Sequence, residues 1–408
     1  MKKTISLTLL CFILVLNISC ESDDNGDGDK PKITGSLSVE EGKNQLEDNS
    51  IELLNKIDAF KNNDALNEII ELAEFLNGSN DSKIVNFKKT AFSTINNISS
   101  IEASNKSITT FNAKQSIAII SETPLADDFQ AEKGIYLWNS DTEKFDKTGS
   151  SDDVIYNINY NGKVAVFSFT DFTTKLAGSE GSKEEIPTLI KANLKIDNTT
   201  VFTQAFSASF KDNQLIPSTI NNTTTIGGFA FVTDYSNSSN KTITQSFDFK
   251  IDGDVIIGYS YTAKGKFNNE DGNIEDIIDS VTLSFQFLDA NLYITANDNN
   301  FNSDSELSID QEVALLNSNV NSELSINKKS IAKSIFYKDE STYTDYVFNS
   351  STQNFELVEV SEDVVNIKFL FDDGTSNDFN TYIEGSFTEL ESRFDAVFEA
   401  YEKLFEDM

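Results

Sequence analysis

The feature that most restricts this chain is period-two alternation with Phe on one parity. Val281, Leu283, Phe285 and Phe287 alternate with Thr282, Ser284 and Gln286; Phe206, Ala208 and Phe210 keep the same rhythm, as do Phe247, Phe249 and Ile251. Successive side chains of a strand point to opposite faces, so this pattern describes half-buried antiparallel strands. It runs through residues 116–385. Turn signals punctuate it. Asn161-Gly162 lies between Tyr160 and Val164, and Asp252-Gly253 lies between Phe249 and Val255. Both dipeptides tolerate the positive φ values that two-residue hairpins need. Only 4 Pro occur in 408 residues, which suits long uninterrupted strands. No helical pattern of about 10–15 residues alternates with these strands, so a parallel α/β sheet is not expected. Segments 177–184 and 297–305 are rich in Gly, Ser, Asn and Asp and read as exposed loops.

The period changes at both ends of this region. In residues 38–115, Ser38 and Glu41 form an S-x-x-E capping box ahead of Leu46, Leu53, Leu54, Ile57 and Phe60. A second helix starts near Asp64 and places Leu66, Ile69, Ile70, Ala73 and Leu76 on one face, with a stop at Asn77-Gly78. A third is expected over 84–98, with Phe87, Ala91, Phe92 and Ile95. At the other end, Ser386 and Glu389 open a helix over 386–408, whose stripe is Phe387, Leu390, Phe394, Val397, Phe398, Tyr401 and Phe405. The expected fold is therefore α+β and mainly β. An antiparallel sheet body carries an N-terminal helical segment and a C-terminal amphipathic helix packed on the β domain. Aromatics make up 11% of the chain and supply large side chains for burial, so the chain is not expected to be disordered as a whole.

The first residues carry an address. Met1-Lys2-Lys3 is basic, and Ile5 to Leu16 is apolar but too short to span a bilayer. The segment ends at Leu16-Asn17-Ile18-Ser19-Cys20, which resembles the lipobox of bacterial lipoproteins. The resemblance implies a signal peptide over 1–19, cleavage after Ser19, and a thioether from Cys20 to diacylglycerol. Asn17 departs from the usual apolar residue of that pattern. Residues 20–37 then read as an acidic, Gly-rich flexible tether. Ser22, Asp23 and Asp24 look like the export signal of Bacteroidota lipoproteins, in which Ser and acidic residues after the lipidated Cys direct the protein to the outer face of the outer membrane. A plain spacer is the simpler alternative. The expectation is an outer-membrane, lipid-anchored chain facing the cell exterior.

Composition removes whole classes of chemistry. There is no His, so no imidazole base, no Ser-His or Cys-His nucleophile and no His metal ligand. Cys11 would leave with the signal and Cys20 would carry the lipid, which leaves neither thiol nor disulfide. The formal net charge is −34, so nucleic acid is not an expected partner. Ser325-Ile326-Asn327-Lys328 and Ser330-Ile331-Ala332-Lys333 fit S-x-x-K, and Lys147-Thr148-Gly149 supplies a K-T-G. Their order is the reverse of that in penicillin-recognising enzymes, and no S-D-N follows. Paired carboxylates for glycoside hydrolysis remain open, yet no spacing singles out Asp248, Glu362 or Asp363 among 66 acidic residues. Asp271, Asp298 and Asp304 sit in oxygen-rich loops, where solvated turns are the simpler reading and bound Ca²⁺ the alternative. No catalytic residue is singled out, and no cofactor beyond that Ca²⁺ is expected.

One internal similarity stands out. Residues 136–155 align without gaps to 346–365: Tyr136-Leu137-Trp138-Asn139-Ser140 with Tyr346-Val347-Phe348-Asn349-Ser350. Thr142, Phe145, Ser151, Asp153 and Val154 match Thr352, Phe355, Ser361, Asp363 and Val364. Each copy reads as strand, polar turn, strand, with an aromatic on each side of the turn forming a cross-strand pair. Duplication and chance in a biased composition both account for the match. The Tyr-x-Trp-Asn form also looks like segments of Bacteroidota surface lipoproteins and implies no activity. The sequence thus leans toward a non-catalytic binding or structural module with a glycan or protein ligand. The alternatives are a carboxylate-dependent glycan hydrolase and a periplasm-facing carrier of an apolar ligand.

Overall fold

The computed structural model describes residues 33–76, 126–177, 184–210, 217–237, 241–267, 278–297, 307–349, 354–378 and 381–382. The signal peptide, Cys20, Ser22, Asp23, Asp24, the helix expected over 84–98 and the C-terminal helix over 386–408 lie outside the described residues. What is described is α+β and mainly β, with an antiparallel sheet and an N-terminal helical segment. Contacts divide it between two compact units, one within Ile51–Ser260, the other within Asn17–Ser50 and Tyr261–Leu390. The boundary falls inside helix α1 (Val39–Lys61) and inside strand β11 (Asp254–Gly265).

The first unit is built on a meander. Strands β4 (Val154–Tyr160), β5 (Lys163–Ala177), β6 (Glu184–Ile196), β7 (Thr199–Phe210), β8 (Pro217–Ile226), β9 (Phe229–Ser236) and β10 (Thr242–Ile251) pair antiparallel, each with the next. The two-residue turns between β4 and β5 and after β10 are made of residues that accept positive φ. Asn161 and Gly162 take +46° and +81°, and Asp252 and Gly253 take +51° and +95°. Ahead of the meander, the hairpin of β2 (Gly134–Asn139) and β3 (Lys144–Gly149) joins it through a parallel pairing of β2 with β4. Helix α2 (Asp64–Phe75) lies against β7, and α3 (Ala126–Glu132) against β5.

The helices bury most of the faces that their spacing predicts, with Leu53, Ile57 and Ile70 half-buried and Leu72 buried in addition. Leu66, Ile69, Leu72 and Ala73 of α2 are buried, and the Asn63 side chain caps the helix by accepting from the Leu66 N–H at 3.1 Å. Each fully buried Leu contributes on the order of 1.5–3 kcal/mol. Phe60, at the end of α1, meets the Phe229 ring edge-on at 4.6 Å and reaches Phe231 and Phe249. Offset and edge-on rings of this kind fill the layer between helix and sheet.

The second unit begins where the sequence assigns tether. Within 20–37, β1 (Gly35–Ser36) pairs parallel with Lys329 and Ser330, and Leu37 is buried. Ser38 and Glu41 then form the expected capping box: the Ser38 N–H donates to Glu41 Oε2 at 3.1 Å, and the Glu41 N–H to Ser38 Oγ at 3.3 Å. Strands β12 (Ile278–Phe287), β13 (Ala290–Asn297), β14 (Val320–Ile326), β15 (Lys329–Asn349), β16 (Asn354–Leu370) and β17 (Ser376–Asp378) pair antiparallel in succession. Asn49 on α1 holds the β12–β13 turn, donating to the Phe287 carbonyl at 2.8 Å. Gly42 is needed where α1 crosses β15, because a Cβ there would come within 2.9 Å of Ile331 Cγ2.

Besides the seven-residue α3, a longer helix falls inside the region that the sequence reads as strands alone. It is α4 (Ile309–Asn319), which opens on a capping box of Ser308 and Gln311. That box was the available signal. The helix escapes a periodicity reading because its only buried residue is Asn319, so it has little apolar stripe to display.

Candidate functional site

The motifs that resemble enzyme signatures fall on the wrong elements. Ser325 lies in β14, Lys328 in the following turn with φ +62°, and Ser330 and Lys333 in β15. No S-x-x-K helix exists there to raise a nucleophile. Lys147, Thr148 and Gly149 end β3. Asp248 is ion-paired with Lys250 at 3.2 Å, and Asp363 with Lys338 at 2.7 Å. Asp271, Asp298 and Asp304 lie outside the described residues, and among the described residues no cluster of three acidic side chains is placed to hold a metal ion.

A polar cluster in the first unit joins α2 to the β4–β5 turn. Lys163, just past the β4–β5 turn, reaches Glu68 at 2.8 Å and Glu71 at 2.7 Å, both on α2. Tyr160 donates its hydroxyl to Glu68 at 3.2 Å, and Asn161 donates to Glu71 at 2.9 Å. The Lys163 ammonium, then the Asn161 amide, hold the Glu71 carboxyl below its ordinary range. The two carboxylates in turn raise the ammonium of Lys163. General acid catalysis needs a carboxyl pushed the other way. This cluster fastens a helix to a turn.

A different character appears at β15 and β16. They are 21 and 17 residues long, against a usual strand of about 5–6. Their register runs without a slip from Lys333 opposite Leu370 to Asn349 opposite Asn354. Pairing with β14 ends at Lys333, and β17 covers only Lys368 to Leu370. Among the described residues the distal part is therefore a two-stranded ribbon. Its base is braced by side chains. Asn317 of α4 donates to the Phe336 carbonyl and accepts from the Phe336 N–H, both at 2.8 Å. Tyr337 donates to Asp378 at 2.6 Å, and the Lys368 ammonium sits 4.6 Å from the centre of the Tyr337 ring. Asn366 donates to Asp339 at 2.9 Å and, with the Glu340 N–H, holds that carboxyl below its ordinary range.

Beyond this base the ribbon turns apolar on its surface. Tyr346 stands opposite Leu357, and Phe348 opposite Phe355, which places all four positions on one face. Tyr346, Phe355 and Leu357 are 68%, 67% and 60% exposed. Tyr343 and Val358 are exposed on the other face. Acidic residues surround them: Asp339, Glu340, Asp345, Glu356, Glu359, Glu362 and Asp363, with no Lys or Arg between Lys338 and Lys368. Monomeric proteins seldom leave several large apolar side chains together in water, and such groups mark interaction surfaces.

The internal similarity acquires a structural meaning here. Trp138 pairs with Phe145 across β2 and β3, as Phe348 pairs with Phe355, and both turns close on the Asn of the alignment, Asn139 and Asn349. The likeness ends at the next strand. In the first hairpin β4 returns alongside β2, and its Tyr156 ring lies 5.3 Å from Tyr136 and 4.8 Å from Phe145. Tyr136 and Trp138 are both buried. Burial, then the Glu132 charge, pushes the Tyr136 hydroxyl up to about 12. In the second hairpin the matching residues continue along β16 instead of forming a third strand. The alternation in the sequence shows both faces; it carries no sign of which one is covered.

No family model, no curated protein and no solved structure matches the chain.

Proposed function

We propose that this chain is a lipid-anchored envelope protein that acts as a non-catalytic binding module, and that the β15–β16 ribbon is its binding element. The observation that carries the reading is the apolar face of Tyr346, Phe355 and Leu357, more than half exposed at the end of a braced ribbon. The Cys20 motif and the acidic segment after it support the anchored part, with Ser22, Asp23 and Asp24 favouring the outer face of the outer membrane. Several acyl chains on one cysteine would make attachment effectively stable, where a single chain binds only marginally.

Two experiments test this reading. Protease shaving of intact and lysed cells, with a Cys20→Ala variant beside them, locates the chain. Loss of signal from intact cells is expected, and protection until lysis would overturn the outward orientation. Surface cross-linking in the wild type and in a Tyr346→Ala/Leu357→Ala double variant then tests the ribbon. Products that depend on both side chains are expected, and an unchanged pattern would remove the ribbon as the binding element.

A further inference from the structure

We infer that the outer edge of β15, from Glu340 to Tyr346, accepts an extended strand from a cationic protein partner, laid parallel to β15 as β4 is laid parallel to β2. The inference rests on the reading of the ribbon as the binding element and adds what it binds.

The edge is defined by hydrogen-bond parity. Phe336 turns both its N–H and its carbonyl to Asn317, on the side away from β16. The pairing of β15 with β16 continues without a slip, so the even-numbered residues beyond Phe336 turn the same way. Two of them show it: the N–H of Glu340 goes to the Asp339 carboxylate at 2.9 Å, and that of Tyr346 to the Asp345 carboxylate at 2.7 Å. Asn317 imitates a strand at the base of the edge, and local carboxylates hold the amides above it. An exposed strand edge is a template for another strand, and carboxylates on it discourage indiscriminate pairing.

The first hairpin shows what fits such an edge. There Gly134, the counterpart of Thr344, donates its N–H to the Asp153 carbonyl at 2.9 Å. The parallel register that follows sets Tyr136 beside Tyr156, and Asn157 donates its side chain to the Tyr136 carbonyl at 3.2 Å. Tyr346 is the counterpart of Tyr136. A strand with an aromatic residue opposite Tyr346 would cover it as Tyr156 covers Tyr136.

Charge selects the source of the strand. An incoming strand must release the Tyr346 N–H from Asp345 and leave that carboxylate beside the new backbone, which a Lys or Arg on the strand would neutralise. A second copy of this chain presents the same acidic ribbon and a net charge of −34, so it is disfavoured as the partner. A glycan could stack on the aromatic face but offers no ladder of alternating N–H and C=O groups for the edge.

The test uses the full-length chain and a labelled peptide of residues 154–160, Val-Ile-Tyr-Asn-Ile-Asn-Tyr, flanked by lysines. Saturable binding is expected. Thr344→Pro should weaken it about tenfold, the scale of one lost backbone hydrogen bond. Glutamate flanks on the peptide should weaken it at least as much, and so should methylation of the peptide nitrogens that face β15. The methylated peptide keeps the test open should the proline variant misfold. The edge-facing amides of Glu340, Thr342, Thr344 and Tyr346 should exchange more slowly in the complex. Equal binding by all variants and peptides would overturn strand addition. So would slow exchange of those amides in the free chain, which would mean that a segment of this chain already covers the edge. Dimerisation abolished by Thr344→Pro would assign the edge to a second copy, and glycan binding lost in Tyr346→Ala without peptide binding would assign the face to carbohydrate; either overturns the inference. Binding lost in Tyr346→Ala but kept in Thr344→Pro would overturn strand addition and leave the ribbon as the binding element.

Discussion

The two aromatic hairpins of this molecule share a register and differ in what covers them. In β2–β3, Trp138 and Tyr136 are buried, and β4 sets the Tyr156 ring against Tyr136 and against Phe145, the cross-strand partner of Trp138. In β15–β16, Tyr346, the counterpart of Tyr136, and Phe355, the counterpart of the half-buried Phe145, remain more than half exposed. The same residue types thus serve as core in one place and as surface in the other. An aromatic cross-strand pair stabilises a hairpin modestly. Whether it stabilises the domain depends on a third strand that removes it from water.

The largest test of this contrast compares Tyr156→Ala with Tyr346→Ala. Loss of the covering ring should cost about 3–5 kcal/mol, the range for large-to-small changes of buried aromatic side chains. Truncating the exposed ring should change stability by no more than about 0.5 kcal/mol. Urea unfolding followed by far-UV circular dichroism reads both, and equal losses would break the distinction. Trp138 is the single Trp of the chain, so its emission should shift to the red in Tyr156→Ala and stay unchanged in Tyr346→Ala.

The brace at the ribbon base should show the next effect. Asn317→Ala removes two hydrogen bonds to Phe336, about 1–3 kcal/mol in all at a typical net value for each. Hydrogen exchange should quicken around Phe336 while the Trp138 hairpin keeps its protection. Uniform loss of protection across the chain would show that the ribbon is not a separable element.

Acid and base should act through the Lys163 clamp. Glu71 is held below its ordinary value of 4.5, so its contribution is complete above that pH and is lost as pH falls through the lowered folded value. Lys163 is held above its ordinary 10.5, so its contribution is complete below that pH and is lost as pH rises through the raised value. Stability of the first unit should be flat between the two ordinary values and decline outside them. Lys163→Met should flatten both limbs in a pH series of unfolding midpoints; limbs that persist in the variant would assign the dependence elsewhere.

The smallest change should come from Asp345→Ala. It frees the Tyr346 N–H without touching the β16 side, so stability should stay within about 0.5 kcal/mol. Binding of a version of the test peptide without lysine flanks should improve severalfold as the carboxylate is removed. A loss of binding would show that Asp345 is a contact, where the structure makes it a guard.

Much of the fold is legible in the residues. Phe206, Ala208 and Phe210 alternate and are buried in β7, and the Asn161-Gly162 and Asp252-Gly253 turns take positive φ as their residue types require. The α2 stripe is mostly legible: Leu66, Ile69, Ala73 and Leu76 are buried as their spacing predicts, whereas Ile70 is half-buried and the buried Leu72 falls outside the expected set. Helix α4 is hidden by its lack of such a stripe, and β1 by its length of two residues. The candidate site is a harder case. The match of 136–155 to 346–365 gives the two hairpins and their cross-strand aromatics, yet nothing in it tells which hairpin will be covered.

The sequence by itself determined the strand periodicity, the turns, the capped helices, the exclusion of imidazole chemistry, and the acidity around the second aromatic hairpin. These are local: they follow from what each side chain allows its own backbone to do, and from charge. The tertiary structure alone decided that β4 returns beside β2, that α4 places Asn317 against Phe336, and that the edge of β15 above it meets no strand among the described residues. Burial is a relation between segments far apart in the chain, and period-two alternation is the same whether a face meets another strand or water.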